Sequence, residues 1–211
     1  MLIKDTKTQY GLVSVVLHWI IAVTIIILIP TGVWGHYLPL NTLKANVLNF
    51  HLSLACAIAP FFLFRIYWRL KSGKPKAPHQ TPVLDWTAGI VWRVLLIGPA
   101  FQLVTGPILT WAHKHPIGII GLIEINSPYS PTLTRPQLGQ IYAIGDFFHV
   151  LVGLTIASVL ALHIAGALKH AIIDRDGVLQ RMLRPGAELQ TPGAPAPKGD
   201  GIGLEGAPAA E

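Results

Sequence analysis

Nine histidines occur in this 211-residue chain, and four of them, His18, His51, His149 and His163, fall inside long apolar stretches. An ionisable side chain in such a stretch is costly in a membrane, so each calls for a partner or a function. His149 and His163 are 14 residues apart in one stretch. On a helix that spacing is about 21 Å of rise and returns to within about 40° of the same face. One helix then offers two imidazoles on one stripe at two depths. Neutral imidazole is a common axial ligand, and a porphyrin iron takes one ligand on each face. A zinc site would want about four ligands converging at one depth. One further histidine at each depth, from another helix, makes two bis-histidine sites stacked across a bundle.

Four apolar stretches must position these residues: about 12–34, 47–68, 87–111 and 145–171. Each reaches the roughly 20 residues that cross a hydrocarbon core. Lys4 and Lys7 precede the first, Arg69, Lys71, Lys74 and Lys76 lie between the second and third, with Arg65 at the edge, and Lys169, Arg175, Arg181, Arg184 and Lys198 follow the fourth. The other side holds Lys44, Lys114 and Arg135. The positive-inside rule then puts both termini in the cytoplasm, with Trp34, Trp68 and Trp111 as aromatic-belt residues at span ends. The fold class is all-α, an integral membrane four-helix bundle over residues 1–184. In this topology His18 and His163 fall near the inner side and His51 and His149 near the outer side, which predicts the pairs His18–His163 and His51–His149. Gly153 and Gly166, about one turn beyond His149 and His163, leave room beside the ligand stripe or serve helix packing.

The connections carry their own signals. The outer loop from Ala112 to about Ile144 is long, and its prolines limit helix, although Pro136 suits a first helical turn leading into the last span. Residues 174–184 alternate Val178, Leu179, Met182 and Leu183 with Arg175, Arg181 and Arg184, a pattern for a short helix on the inner leaflet. Residues 185–211, rich in Pro, Gly and Ala, read as disordered. Arg93, inside the third span, either snorkels to the interface or pairs with a haem propionate. His170, seven residues after His163, either lies at the interface or belongs to a quinone headgroup pocket. His36, His113 and His115 belong to the outer connections and His79 to the inner loop, as solvated side chains.

Composition agrees with a membrane protein. Hydrophobic residues make up 52% of the chain and charged residues 12%, half the usual share of a soluble domain. A soluble enzyme, a disordered protein and a nucleic-acid binder all fit this balance poorly, and the net charge of +6 is accounted for by basic residues bordering apolar spans. The single cysteine, Cys56, excludes a disulfide, an iron–sulfur cluster or a CxxCH haem attachment within the chain.

Four spans, the LHW of Leu17–Trp19, His51 early in the second span, His149 with His163 on the fourth, and the ending DRDGVLQRMLRP from Asp174 to Pro185 resemble the bacterial cytochrome b561 family over roughly residues 8–185. The resemblance implies two non-covalent haem b groups in the inner membrane, with His18, His51, His149 and His163 as axial ligands, and electron exchange with quinone, ubiquinone being the expected partner. A superoxide-oxidising member of the family implies periplasmic superoxide as a donor and aligns His170 with a histidine at the cytoplasmic end of its last helix. Two other readings stand beside this one. The chain would be the haem-bearing anchor of a periplasmic dehydrogenase or cytochrome c, docking through the Ala112–Ile144 loop, or a haem-free transporter using its histidines as proton relays.

Overall fold

The computed structural model describes residues 2–73, 75, 81–119, 122–129 and 132–189. His79 and most of the Pro/Gly/Ala-rich tail, residues 190–211, lie outside them. Four long helices dominate: α1 (Leu12–Tyr37), α2 (Thr42–Ser72), α3 (Pro82–Ala112) and α4 (Arg135–Lys169). Each is long and apolar enough to cross a membrane. Large apolar side chains such as Val23, Leu63, Ile97, Val104 and Leu162 are exposed along all four, as lipid-facing positions require.

Local chemistry explains where the helices begin. The Asn41 side chain accepts from the Lys44 backbone N–H at 3.0 Å to open α2, and Thr81 followed by Pro82 opens α3. Thr134 opens α4 with a full capping box, its hydroxyl accepting from Gln137 N–H while Gln137 Oε1 accepts from Thr134 N–H. With Pro136 in the first turn, α4 starts some ten residues before its apolar span and continues into it unbroken. Pro30, Pro60, Pro99 and Pro107 sit inside helices without ending them, as membrane helices tolerate.

The outer connection is thereby shortened to residues 113–134, and it contains a small hairpin. Strands β1 (Ile117–Ile119) and β2 (Ile123–Ile125) pair antiparallel, with Ile117 opposite Ile125. Ile117 is buried, and the Ser53 hydroxyl of α2 donates to Gly118 O at 2.8 Å, pinning the hairpin to the bundle. Three-residue strands leave too little periodicity for the sequence to signal them.

Backbones pack most closely as α3 on α4 and α1 on α2, with α2 meeting α3 less. At the basic end, the chain preceding α1 folds back under the bundle. Asp5, whose side chain is fully buried, accepts from Gly11 N–H at 2.8 Å, from the Ser14 hydroxyl at 2.7 Å and from Arg69 Nη1 at 3.3 Å. Trp68 Nε1–H donates to the same Ser14 hydroxyl oxygen at 3.0 Å. Trp68 is therefore turned into this network, although its place at a span end suggests an aromatic-belt residue.

The chain after α4 closes the other side of this network. One π-helical turn (His170–Asp174) leads through Gly177, at φ +82°, into the short helix α5 (Val178–Leu183). Arg181 is buried with its guanidinium 5.0 Å above the Tyr10 ring, which Arg69 also approaches at 5.3 Å. Amphipathic alternation places Arg181 on a wet face, but the Tyr10 ring supplied by the N-terminal segment draws it inward. Trp19 Nε1–H donates to Met182 O at 2.6 Å, and Gly186 N–H to Tyr10 O at 2.9 Å. Gln9 Nε2 donates to Glu188 at 2.9 Å, so residues 185–189, which composition assigns to a disordered tail, are tied to the bundle.

Candidate functional site

The four intramembrane histidines converge in two pairs. His18 of α1 faces His163 of α4 with ring centroids 6.3 Å apart, and His51 of α2 faces His149 of α4, also at 6.3 Å. The ring planes cross at 69° and 71°. In both pairs the partner of the α4 histidine comes from the α1–α2 layer, so each pair bridges the two helix layers. A metal–imidazole bond of about 2.0 Å, plus roughly 1.1 Å from nitrogen to ring centre, puts two trans imidazoles about 6 Å apart. Both pairs therefore fit axial ligation of one iron each, and neither supplies the four donors of a zinc site.

Hydrogen bonding decides which ring nitrogen is free. His51 Nδ1 is 3.0 Å from Leu28 O, a group that only accepts, so the proton resides on Nδ1 and the Nε2 lone pair is open. His149 Nδ1 is 2.8 Å from the Thr105 hydroxyl. The Thr105 hydroxyl is also 3.1 Å from Phe101 O, and with its proton directed there its oxygen accepts from Nδ1 and Nε2 is again open. Gln102 braces the same turn by donating to His149 O at 3.0 Å. The outer pair thus holds both rings in the tautomer that ligates a metal. At the inner pair, Arg65 Nη2 is 3.3 Å from His18 Nδ1.

Close packing is supplied by glycines other than those the stripe suggests. A Cβ at Gly32 would lie 2.9 Å from His51 Cε1, and one at Gly106 would lie 3.6 Å from His149 Cε1. Gly153 instead faces Gln102, and Gly166 has nothing within 4 Å of where its Cβ would be. Both close glycines sit on partner helices, so spacing along α4 alone does not reveal them. Gly32→Ala is expected to displace the His51 ring, because 2.9 Å is below any real Cβ contact. Ligand affinity of the outer pair should fall at least tenfold while the inner pair is unaffected, read by titrating haem into stripped protein.

Arg93 is exposed on α3, and among the described residues no hydrogen bond or ion pair joins it to either pair. His170 lies at the basic end, where the π turn brings three potential ligands together. Its Nδ1 is 2.7 Å from the buried Asp176 and 3.2 Å from Asp174, and Lys169 Nζ holds Asp174 at 2.6 and 2.8 Å. At the opposite end, Ala112, His113, Lys114, Arg135, Leu138, Gly139 and Tyr142 line a cavity of about 480 Å³. His36 approaches Asp146 at 3.8 Å nearby, and the His113 and Tyr142 rings are 4.6 Å apart.

Comparison with known proteins identifies the family of the chain. A protein of Escherichia coli (strain K12), cytochrome b561 homolog 2, is 24% identical over 191 residues, covering 87% of this chain and 95% of that protein. The family profile described as prokaryotic cytochrome b561 matches residues 9–185, from the strap before α1 to the end of α5. With that match over most of its length, the chain belongs to the prokaryotic cytochrome b561 family, membrane helical bundles that carry haem b in electron transfer.

Proposed function

We propose that this protein is a dihaem b-type cytochrome that moves single electrons between the outer face of the membrane and a quinone at the basic, cytoplasmic face. The observation that carries the reading is the recurrence of one ligand geometry: two histidine pairs, each with ring centroids 6.3 Å apart, at two depths of α4. His18 with His163 holds the inner haem, and His51 with His149 the outer one. When bound, the haems supply reversible one-electron chemistry between two iron oxidation states. The protein supplies axial nitrogens, orientation and a low-dielectric sheath.

Residues at the two ends suit the two partners. Lys114 and Arg135 flank the outer cavity beside His113, giving a locally positive mouth that attracts a small anionic donor such as superoxide. At the other end, His170, with Asp176 2.7 Å from its Nδ1, is an acid–base group at the basic face that can pass a proton to a reduced quinone oxygen such as that of ubiquinone. Asp176 then stabilises the ring in its donating orientation. A second reading, an anchor for a periplasmic redox protein, is favoured by the exposed Leu122, Ile123 and Ile125 of the outer hairpin, an apolar tip suited to docking.

A dithionite-reduced minus oxidised spectrum of the purified protein, with haem quantified per chain, tests the central claim. Two b-type haems per polypeptide are expected. A colourless protein that also fails reconstitution would replace this reading with the proton-relay transporter. Anaerobically oxidised protein mixed with a superoxide source separates the donors, since reduction within milliseconds marks superoxide and its absence favours the docked redox protein.

A further inference from the structure

Arg65 is 14 residues after His51 on α2, the same interval that separates His149 from His163 on α4. That interval carries it about 21 Å along the membrane on nearly the same helix face, to the depth of the inner pair. There its guanidinium is half-buried, with Nη2 3.3 Å from His18 Nδ1 and Nη1 3.4 Å from Ser14 O. A guanidinium only donates, so this contact requires a lone pair on His18 Nδ1. A His18 that ligates iron through Nε2 carries its proton on Nδ1 and meets Arg65 donor to donor. Ligation therefore sends Arg65 to another acceptor, and a haem held by His18 and His163 would bring carboxylates of its own to this depth. At the outer pair, the corresponding positions beside Nδ1 are filled by neutral acceptors, Leu28 O and Thr105.

We propose that Arg65 is the positioning residue of the inner haem, pairing with a haem carboxylate and supplying a fixed positive charge beside the His18–His163 pair that raises the inner reduction potential. This rests on the dihaem reading above. The sign follows from charge. Oxidation adds one positive charge at the iron, and a neighbouring cation in a low-dielectric site opposes it. The consequence is directional: electrons entering at the outer haem find a lower-energy site toward the quinone side.

The test compares full-length wild type with Arg65→Gln, Arg65→Lys and Arg93→Gln, counting haem per chain and titrating each haem potentiometrically. The inner haem is identified as the one missing from His163→Ala. Arg65→Gln is expected to keep two haems while the equilibrium constant for inner reduction falls about tenfold, about 59 mV for a one-electron couple. The outer haem should not move, and Arg65→Lys, which retains the charge, should recover most of the shift. Should Arg65→Gln shed the inner haem outright, retention of that haem by Arg65→Lys supports the same role. Two haems with unchanged potentials in Arg65→Gln, equal shifts at both haems, or a shift in Arg93→Gln alone would overturn it. A wild type that lacks two haems would instead count against the dihaem reading itself.

Discussion

His149→Ala is expected to carry one haem per chain instead of two, and the one it keeps is the inner haem. His149 is paired with His51 and His163 with His18, so each alanine is expected to remove an axial nitrogen from one site and leave the other intact. His51→Ala should reproduce the first result. His18→Ala and His163→Ala should both spare the outer haem. Haem per chain, together with the redox component that disappears, reads out each variant. Loss of the inner haem in His149→Ala would show that the depth assignment is wrong. Retention of two haems would show that His149 is not a ligand. The outer site should also bind more tightly in wild type, because Leu28 and Thr105 already hold both outer rings with Nε2 free.

The second large effect lies far from the haem sites. Asp5→Ala removes the carboxylate that, among the described residues, faces Arg69, a side chain only 6% exposed, and also strips the acceptor from Gly11 N–H and the Ser14 hydroxyl. An ion pair broken by deleting one buried partner costs about 3–5 kcal/mol, since Gly73 O, the Ser14 hydroxyl and the Tyr10 ring leave Arg69 with neutral partners only. For a domain of this size that corresponds to roughly 10 °C in thermal midpoint. Tryptophan fluorescence during heating in detergent is a direct readout, because Trp68 donates to Ser14 within the same network and Trp19 to Met182 beside it. Asp5→Asn, which keeps an acceptor, should lose less. A midpoint within about 2 °C of wild type would mean that water replaces the carboxylate and that the strap is not a closed structure.

The strap bears on function as well as stability. It joins residues 5–14, the end of α2 and the α5 segment into one layer beneath His18 and beside His170. The proposed inner haem site and the proposed quinone end thus share a floor. Loosening that floor should affect the inner site before the outer one.

Much of this was legible in the residues themselves. Apolar length gives four spans because a bilayer permits so few spanning structures. Charge bias predicts their orientation, and histidine depth on each span gives the pairing, since a helix converts sequence separation directly into rise and angle. That is why the expected partners, His18 with His163 and His51 with His149, are the ones brought face to face at 6.3 Å. Arg65 was within reach of the same arithmetic, because its 14-residue offset from His51 repeats the α4 spacing. Its position at a span edge among other basic residues made it look like an orientation signal instead.

Other features belong to the tertiary structure alone. Which helix face meets which neighbour is not encoded by spacing along one helix, so Gly32 and Gly106, rather than Gly153 and Gly166, come up against the histidine rings. Tautomers follow from carbonyls and hydroxyls on other helices, Leu28 O for His51 and Thr105 for His149. The inward turn of Trp68 and Arg181 depends on Asp5, Ser14 and Tyr10, which lie more than 50 residues away in sequence. Local periodicity determines spans, depth and which histidines pair, because these depend on rise per residue and hydropathy. Long-range packing determines the second layer of contacts, because each of those bonds needs a partner that only the assembled bundle brings within 3 Å or so.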